Sequence, residues 1–218
     1  VMPSEIAQIS FLKGAQAVVL YGSKAAKGAI CITTKRGKTE GLDVTVRANT
    51  GFNVAKSFPE YLGAAEYMTL YNEARTNDGL EPRYTDVQIY NHASGLNPYR
   101  YPDINYYSSD YVKKAYNRSE VTAEISGGGT RAHFYSNVSY YRNGDYLNFG
   151  EAKNNMTDRF NVRGNVDVNI NSFINAYINA NATFYNSKSA KGDYWSAAAT
   201  ARPNFPEYAA PLIPLDMI

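Results

Sequence analysis

The sequence predicts a mainly β protein of long antiparallel strands of the transmembrane-barrel type. Three features predict it: a two-residue alternation, unusual strand length, and a rhythm of short and long connections. The alternation is clearest from Arg159 to Tyr185. Phe160, Val162, Gly164, Val166, Val168 and Ile170 are apolar or small, and the residues between them (Arg159, Asn161, Arg163, Asn165, Asp167, Asn169) are polar. After Asn171-Ser172 the pattern resumes, with Ile174, Ala176, Ile178, Ala180, Ala182 and Phe184 set against Asn175, Tyr177, Asn179, Asn181, Thr183 and Tyr185. A period of two sends each set to its own face of a strand, and the Asn-Ser pair reads as a tight hairpin. Each strand runs roughly 12 residues, about twice the usual 5–6. A tilted strand needs about 9–11 residues to cross a hydrocarbon layer, so the length points to a membrane rather than a soluble sandwich.

The elements follow in order along the chain. Residues 1–40 are mixed in character. Pro3 to Ile6 reads as a helical turn, Ile9 to Leu12 as a short strand, Ala15 to Leu20 as a short helix stopped at Tyr21-Gly22, and Ala29 to Thr34 as a strand. From Leu42 the text turns antiparallel: Val44, Val46, Ala48, Thr50 and Phe52 alternate with polar residues or Gly51. Val121, Ala123 and Ile125 do the same, as do Ala132, Phe134, Ser136, Val138 and Tyr140. With the Arg159–Tyr185 pair this makes five strands. Gly127-Gly128-Gly129 and Asn171-Ser172 are short connections, whereas about 54–119, about 143–158 and everything after about 186 are long. Short turns at one end and long loops at the other are the habit of outer-membrane barrels, and a Greek-key sandwich has no reason for them. The first long link holds a helix. Ser57 to Glu60 fits a capping box, Tyr61, Ala64, Met68 and Tyr71 share one face, and Asn77-Asp78-Gly79 stops it.

Composition narrows the function. The 218 residues carry a net charge of +2, with no face dense in Lys and Arg, which argues against a nucleic-acid partner. The one basic cluster, Lys35-Arg36-Gly37-Lys38, reads as a solvated strand end. A single cysteine, Cys31, and two histidines, His92 and His133, supply neither a disulfide framework nor a metal cluster, so no cofactor is expected. Cys31 itself reads as a small buried strand residue. Mean hydropathy is −0.44, and no apolar run approaches the ~18 residues of a spanning helix. A barrel faces lipid with alternate residues only, so such a value is compatible with one. The N-terminus, VMPSEIAQ, has no signal-peptide pattern and enters directly into structured sequence, so the chain reads as a piece of a longer protein. Tyrosine is abundant, with 20 Tyr against 9 Phe and 1 Trp, which suits membrane-interface girdles and sugar-stacking surfaces alike.

Several tempting motifs fail. Gly22 to Gly28 holds Gly and Lys without P-loop spacing, and Gly127-Gly128-Gly129 lacks the strand-to-helix context of a dinucleotide fingerprint. Asn117, Asn137, Asn155 and Asn181 begin glycosylation-type triplets that read as coincidences in an Asn-rich chain. Glu151, Asp158, Asp167 and Asp193 could supply a glycosidase pair, but solvated charge is the simpler reading, so no enzyme is expected. Tyr194-Trp195, in the long stretch after the fifth strand, is the better candidate for contact with a carbohydrate or with a lid partner.

The stretch from Ala15 to Lys38, AQAVVLYGSKAAKGAICITTKRGK, closely resembles the end of the plug domain of TonB-dependent outer-membrane transporters. The wording is most similar to the SusC/RagA type of Bacteroidota. Leu12-Lys13, Ala15, Ala17, Tyr21-Gly22-Ser23, Ala25-Ala26, Gly28 and Ile32-Thr33-Thr34-Lys35 carry the match. Further along, Glu66-Tyr67-Met68, Tyr101-Pro102-Asp103, Ile125-Ser126-Gly127-Gly128, the strand from Arg159 to Asp167, and Arg202-Pro203 with Pro206 resemble later family segments. Lys24 and Lys27 depart from the family's usual residues at that turn.

The resemblance implies a fold and a function. Residues 1–40 would be the C-terminal part of an α/β plug, and 41–218 the first part of a barrel of about 22 strands, with long loops on the extracellular side. The protein would lie in the outer membrane of a Gram-negative bacterium and import a nutrient with energy from TonB, which engages a region not included here. A SusD-like surface lipoprotein would be the lid, and the substrate an oligosaccharide or, in the same family, a peptide. Arg159, Arg163 and Asp167 would face the lumen, while Val166 and Ile178 would face lipid. The competing reading is a secreted carbohydrate-binding or adhesin β-sandwich, in which the apolar face is a dry core.

Overall fold

The structure, a computed structural model, describes residues 3–38 and 40–203. It contains two antiparallel sheets. The smaller pairs β1 (Ile6–Leu12) with β2 (Ala29–Thr34), setting Ile9 opposite Ile32 and Phe11 opposite Ile30. Between these strands lie α1 (Ala15–Tyr21) and a 3-10 turn, Ser23–Ala25. The helix begins and ends at glycines with positive φ, Gly14 and Gly22, so its short span is set by backbone freedom rather than side-chain caps.

The larger sheet is a five-stranded meander in sequence order: β3 (Leu42–Val54), β4 (Ala115–Gly128), β5 (Ala132–Gly144), β6 (Met156–Asn169) and β7 (Asn175–Lys188). Cross-strand bonds mark its antiparallel sense at the short-turn end, where Gly128 N donates to Gly41 O, Gly129 N to Ala132 O and Asn169 N to Arg131 O. The five strands contain 13, 14, 13, 14 and 14 residues, longer than the alternation alone predicts. The turn after β6 is also wider than an Asn-Ser pair. It spans Ile170 to Ile174, and the Asn171 carboxamide oxygen accepts from the amides of Phe173 (2.9 Å) and Ile174 (2.8 Å). An Asn that bonds the backbone two residues on replaces the two-residue hairpin. No helix among the described residues is long and apolar enough to cross a membrane, which says nothing about strands.

The chain divides into two compact units. The first comprises Val1–Asn49, Glu120–Tyr141 and Arg159–Tyr185; the second comprises Thr50–Ser119, Arg142–Asp158 and Asn186–Ile218. The second holds α2 (Ala64–Asn77), α3 (Asp86–Ser94) and α4 (Tyr194–Thr200). The expected capping box at Ser57–Glu60 is not used, and Tyr61 precedes α2. Instead Asp103, from a distant loop, accepts from Ala64 N at 2.8 Å, and Glu66 accepts from Gly63 N at 3.3 Å. A carboxylate at a helix start satisfies orphan donors and complements the dipole, and Pro59 cannot donate there at all. The helix ends where expected, and Ala64 and Met68 form its buried stripe.

Sequence patterning missed α3 and α4, each under ten residues long. Thr85 and Gln88 form a reciprocal cap on α3, and Asp193 accepts from Ser196 N at the start of α4. Asn72 binds α2 to the chain ahead of α3: its oxygen accepts from Arg83 N and Tyr84 N, and its amide donates to Tyr84 O at 2.7 Å. Pro206, one of the residues carrying the family likeness, lies outside the described residues. Replacing Asp103 by Ala removes the α2 cap at a cost of about 1 kcal/mol. In hydrogen exchange, the amides of Ala64 to Tyr67 should then exchange about fivefold faster, with those of β6 unchanged.

Candidate functional site

The three central strands of the larger sheet, β4, β5 and β6, are buried on the side opposite to that of a soluble sheet. In β5, Tyr135, Asn137 and Ser139 are buried, with Asn137 at 0% exposure, while Phe134, Val138 and Tyr140 are exposed, with Val138 at 39%. In β4, Thr122 and Glu124 are buried and Val121 and Ile125 exposed. In β6, Asn161 and Asn165 are buried and Phe160 and Val166 exposed. Polar groups are therefore covered and aliphatic groups are bare, the reverse of the usual partition.

What covers the polar face is the end of β2, together with Glu5. Arg163 Nη2 donates to Thr34 Oγ1 at 2.9 Å, and its Nη1 lies 3.8 Å from Glu5 Oε2. Asn165 donates to Lys35 O at 3.0 Å, and Asn161 to Glu5 Oε1 at 3.3 Å. Lys35 Nζ sits 2.7 Å from Glu124 Oε2, the same carboxylate that receives Arg47 and, at 3.2 Å, the Tyr135 hydroxyl. Arg36 pairs with Asp167, whose other oxygen is 3.3 Å from His133 Nε2. Lys38 pairs with Asp43. The basic run is thus an ion-paired clamp: each of its cations has a carboxylate partner, Lys35 is part-buried, contrary to the expectation of a solvated strand end, and Arg36 and Lys38 remain exposed. A cleft of about 390 Å³ opens beside it, lined by Lys35, Arg36, Lys38, Asp43, Arg47 and Glu124 among others.

Gly37, within that run, passes directly against β5. A Cβ there would overlap the Phe134 backbone, so only glycine allows the approach. Gly37, Arg47, Glu124 and Tyr135 were missed in the sequence. The available signals were a lone acid on the polar side of an alternating strand and a glycine inside a basic run.

Of the residues singled out by sequence, Arg159, Arg163 and Asp167 all lie on the polar side of β6, with the Arg159 guanidinium 5.1 Å from the Tyr141 ring centroid. Thr34 and Lys35 touch the sheet. Thr33 sits opposite Gln8 in the small sheet. Tyr21, Gly22, Ser23 and Gly28 form the local turn structure before β2, and the Tyr21 hydroxyl accepts from Cys31 Sγ at 3.3 Å. Cys31 is half-buried rather than fully enclosed. Three of the four tempting acids are already engaged: Asp158 by Arg142 at 2.7 Å, Asp167 by Arg36, and Asp193 by the Ser196 amide. Among the described residues no cluster of His, Cys, Asp and Glu could hold a metal ion.

Tyr194 and Trp195 fall in an aromatic cluster of the second unit. Trp195 stacks on Tyr107 with centroids 5.9 Å apart and planes at 28°, and it meets Tyr146 and Tyr194 edge-on. Tyr107 in turn stacks on Tyr61 at 5.8 Å and 24°, with Phe58 beside it at 5.9 Å. The Tyr194 hydroxyl donates to Tyr106 O. Burial raises the phenols of Tyr106, Tyr107, Tyr111 and Tyr194 above their ordinary range, so these four stay uncharged through physiological pH.

These features coincide with known proteins. TonB-dependent receptor P26 of Formosa agariphila is 24% identical over 201 residues, 90% of this chain and 18% of that protein. TonB-dependent receptor SusC of Bacteroides thetaiotaomicron is 34% identical over 74 residues, 34% of this chain and 7% of that one. Among solved structures, the RagAB peptide transporter matches with a TM-score of 0.67 at 19% identity, covering 87% of this chain and 23% of that chain. The closed-closed state of the RagAB peptide importer gives 0.63 at 20% identity, over 88% of this chain and 23% of that one. No family model matches the chain. The chain is similar in sequence to TonB-dependent receptors, SusC among them, and in fold to RagAB. It spans 18% of the length of the first of these curated relatives.

Replacing Glu124 by Gln leaves Lys35 and Arg47 facing a neutral amide. Both cations are partly solvated, so the expected cost is about 1–3 kcal/mol rather than that of a fully buried pair. Hydrogen exchange across Lys35 to Lys38 should accelerate. Gly37→Ala should produce the same loosening, because its Cβ has no room.

Proposed function

We propose that this chain is part of a TonB-dependent transporter that imports an oligosaccharide across a bacterial outer membrane, with a SusD-like lipoprotein as its extracellular lid. The observation that carries the reading is the inverted burial of β4, β5 and β6: their polar face is covered by Glu5 and the end of β2, and their aliphatic face is bare. Residues 1–40 are then the C-terminal part of a plug, and residues 41 onward the first strands of a barrel wall. A strand of 14 residues is roughly 46 Å long at ~3.3 Å per residue. Tilted by about 45°, it rises about 33 Å, which suits a hydrocarbon layer ~30 Å thick. Lipid satisfies the exposed Val166 and Ile178, and Arg159, Arg163 and Asp167 belong to the plugged, wet lumen. The β-sandwich alternative is disfavoured, because it requires the aliphatic face to be the covered one.

In this reading, force from TonB reaches the plug from a region outside this chain, and the clamp at Lys35, Arg36 and Gly37 holds the plug's far end to the wall. Pulling then remodels the plug against an anchored point and opens a path without releasing it. No covalent chemistry is needed. A peptide cargo is the second reading, favoured by the fold likeness to RagAB, whose structures are described as those of a peptide importer and transporter. Tyr194 and Trp195 are assigned to contact with the cargo or the lid.

Val166→Arg and Ile178→Arg should each cost about 2–4 kcal/mol if the positions lie near the bilayer midplane. Fractionation of cells expressing the full-length protein should show both variants depleted from the outer membrane. Full-length protein that remains soluble without detergent would contradict the reading.

A further inference from the structure

The outward side of the larger sheet, the one opposite the buried polar groups, is not apolar along the whole of its strands. On β4, Val121 and Ile125 are exposed there, but toward the long-loop end Asn117 and Ser119 take the same side. On β5, Phe134, Val138 and Tyr140 are succeeded by Arg142. On β6, Asp158 stands outward just ahead of Phe160, and on β7 Phe184 is succeeded by Asn186 and Lys188. The change falls at neighbouring points of these strands. Arg142 holds Asp158 through two bonds, Nε donating to Oδ1 at 2.7 Å and Nη2 to Oδ2 at 3.3 Å. Thr157 and Ser187 meet at 3.1 Å, which sets Asp158 beside Asn186. Two residues nearer the short turns, the rings of Phe160 and Phe184 lie 6.2 Å apart. On β3, Thr50 accepts from Asn117 Nδ2 at 3.1 Å, but exposed Phe52 and Val54 follow it, so the polar row is drawn from β4 to β7.

We propose that Asn117, Arg142, Asp158 and Asn186 form a polar collar that meets the lipid headgroup layer at the long-loop end, and that the hydrocarbon ends at Tyr140, Phe160 and Phe184. All four collar residues belong to the second compact unit. An ion pair on a lipid face costs most at the midplane and little near the interface, and the Arg142 side chain is 51% exposed. Aromatic rings, with an apolar body, suit the layer immediately beneath the headgroups. The dimension agrees: the outward run from Phe160 to Ile170, about 11 residues at ~3.3 Å each and tilted about 45°, rises about 26 Å, against about 25 Å for the apolar band of outer-membrane barrels. The collar rests on the membrane reading and fixes the depth at which the wall sits.

The test places single nitroxide labels at Ala180, Ala182, Phe184 and Asn186 of full-length protein in phosphatidylcholine bilayers, its native cysteines replaced. Collisions with a water-soluble nickel chelate should be frequent at 186 and lost at 182 and 180, with oxygen collisions rising in the opposite order. In the double variant Arg142→Leu with Asp158→Leu, the label at 186 should lose nickel access as well, because the apolar band gains one outward position on each of β5 and β6. The variant Arg142→Lys with Asp158→Glu keeps both charges and should leave that access unchanged. Lipid contact at all four positions, shielding of 186 from both reagents as under a protein partner, or a charge-retaining variant that loses access overturns the collar and leaves the membrane reading standing. So does a folded double Leu variant that matches the wild type. Nickel access at 180 and 182 rejects the membrane reading itself.

Discussion

A sheet whose polar face is covered and whose aliphatic face is bare is stable only where the medium on the bare side is itself apolar. In water each buried Asn or Glu costs desolvation, and each exposed Val or Ile forgoes the ~25 cal/mol per Å² that burial would return. The three central strands, β4, β5 and β6, have that inverted arrangement. Hydrocarbon beyond Phe134, Val138, Phe160 and Val166 removes the contradiction. In the proposed reading these strands face lipid on their bare side, and the end of β2 with Glu5 supplies their polar groups with partners.

Those partners show how a wet interface holds. Glu124 takes two cations and a hydroxyl, Asp167 takes Arg36 with His133 alongside, and Glu5 faces Arg163 and Asn161. Such contacts pair charges that neither side could bury alone, and they remain exchangeable with water in a way that an apolar seam would not. Gly37 adds a steric condition, because the chain leaving β2 runs against the β5 backbone with no space for a side chain. In the proposed reading, such an interface lets the plug stay seated and yet be remodelled under force.

The sequence made one half of this legible. Alternation in Arg159 to Tyr185 marked the two faces of β6 and the presence of β7, and the Gly127–Gly129 and Asn171 turns marked the β4–β5 and β6–β7 hairpins, because period and turn chemistry are local properties. The strand β2 came out with its observed bounds for the same reason. What local pattern could not give was partnership across the chain. Lys35 and Glu124 are 89 residues apart, and Asp103 caps a helix that starts 39 residues before it. The basic run therefore looked like a solvated end, and the start of α2 was set too early by a capping motif that Pro59 interrupts. The short helices α3 and α4 escaped because helices of 9 and 7 residues show too little of a 3.6-residue period. Trp195 was singled out as unique, but its stacking on Tyr107 and, through it, Tyr61 depended on loops folding together.

The most direct test of the inverted sheet is the environment of successive β6 side chains. Single nitroxide labels from Phe160 to Val168 would be placed in full-length protein reconstituted into bilayers, with the native cysteines, Cys31 among them, replaced. Collision rates with oxygen and with a water-soluble nickel chelate then report lipid and water separately. Labels at 160, 162, 164, 166 and 168 should be accessible to oxygen and shielded from nickel, whereas those at 161, 163, 165 and 167 should be shielded from oxygen. Nickel access at the even positions, or shielding of those positions from both reagents as in a dry protein core, would contradict the account.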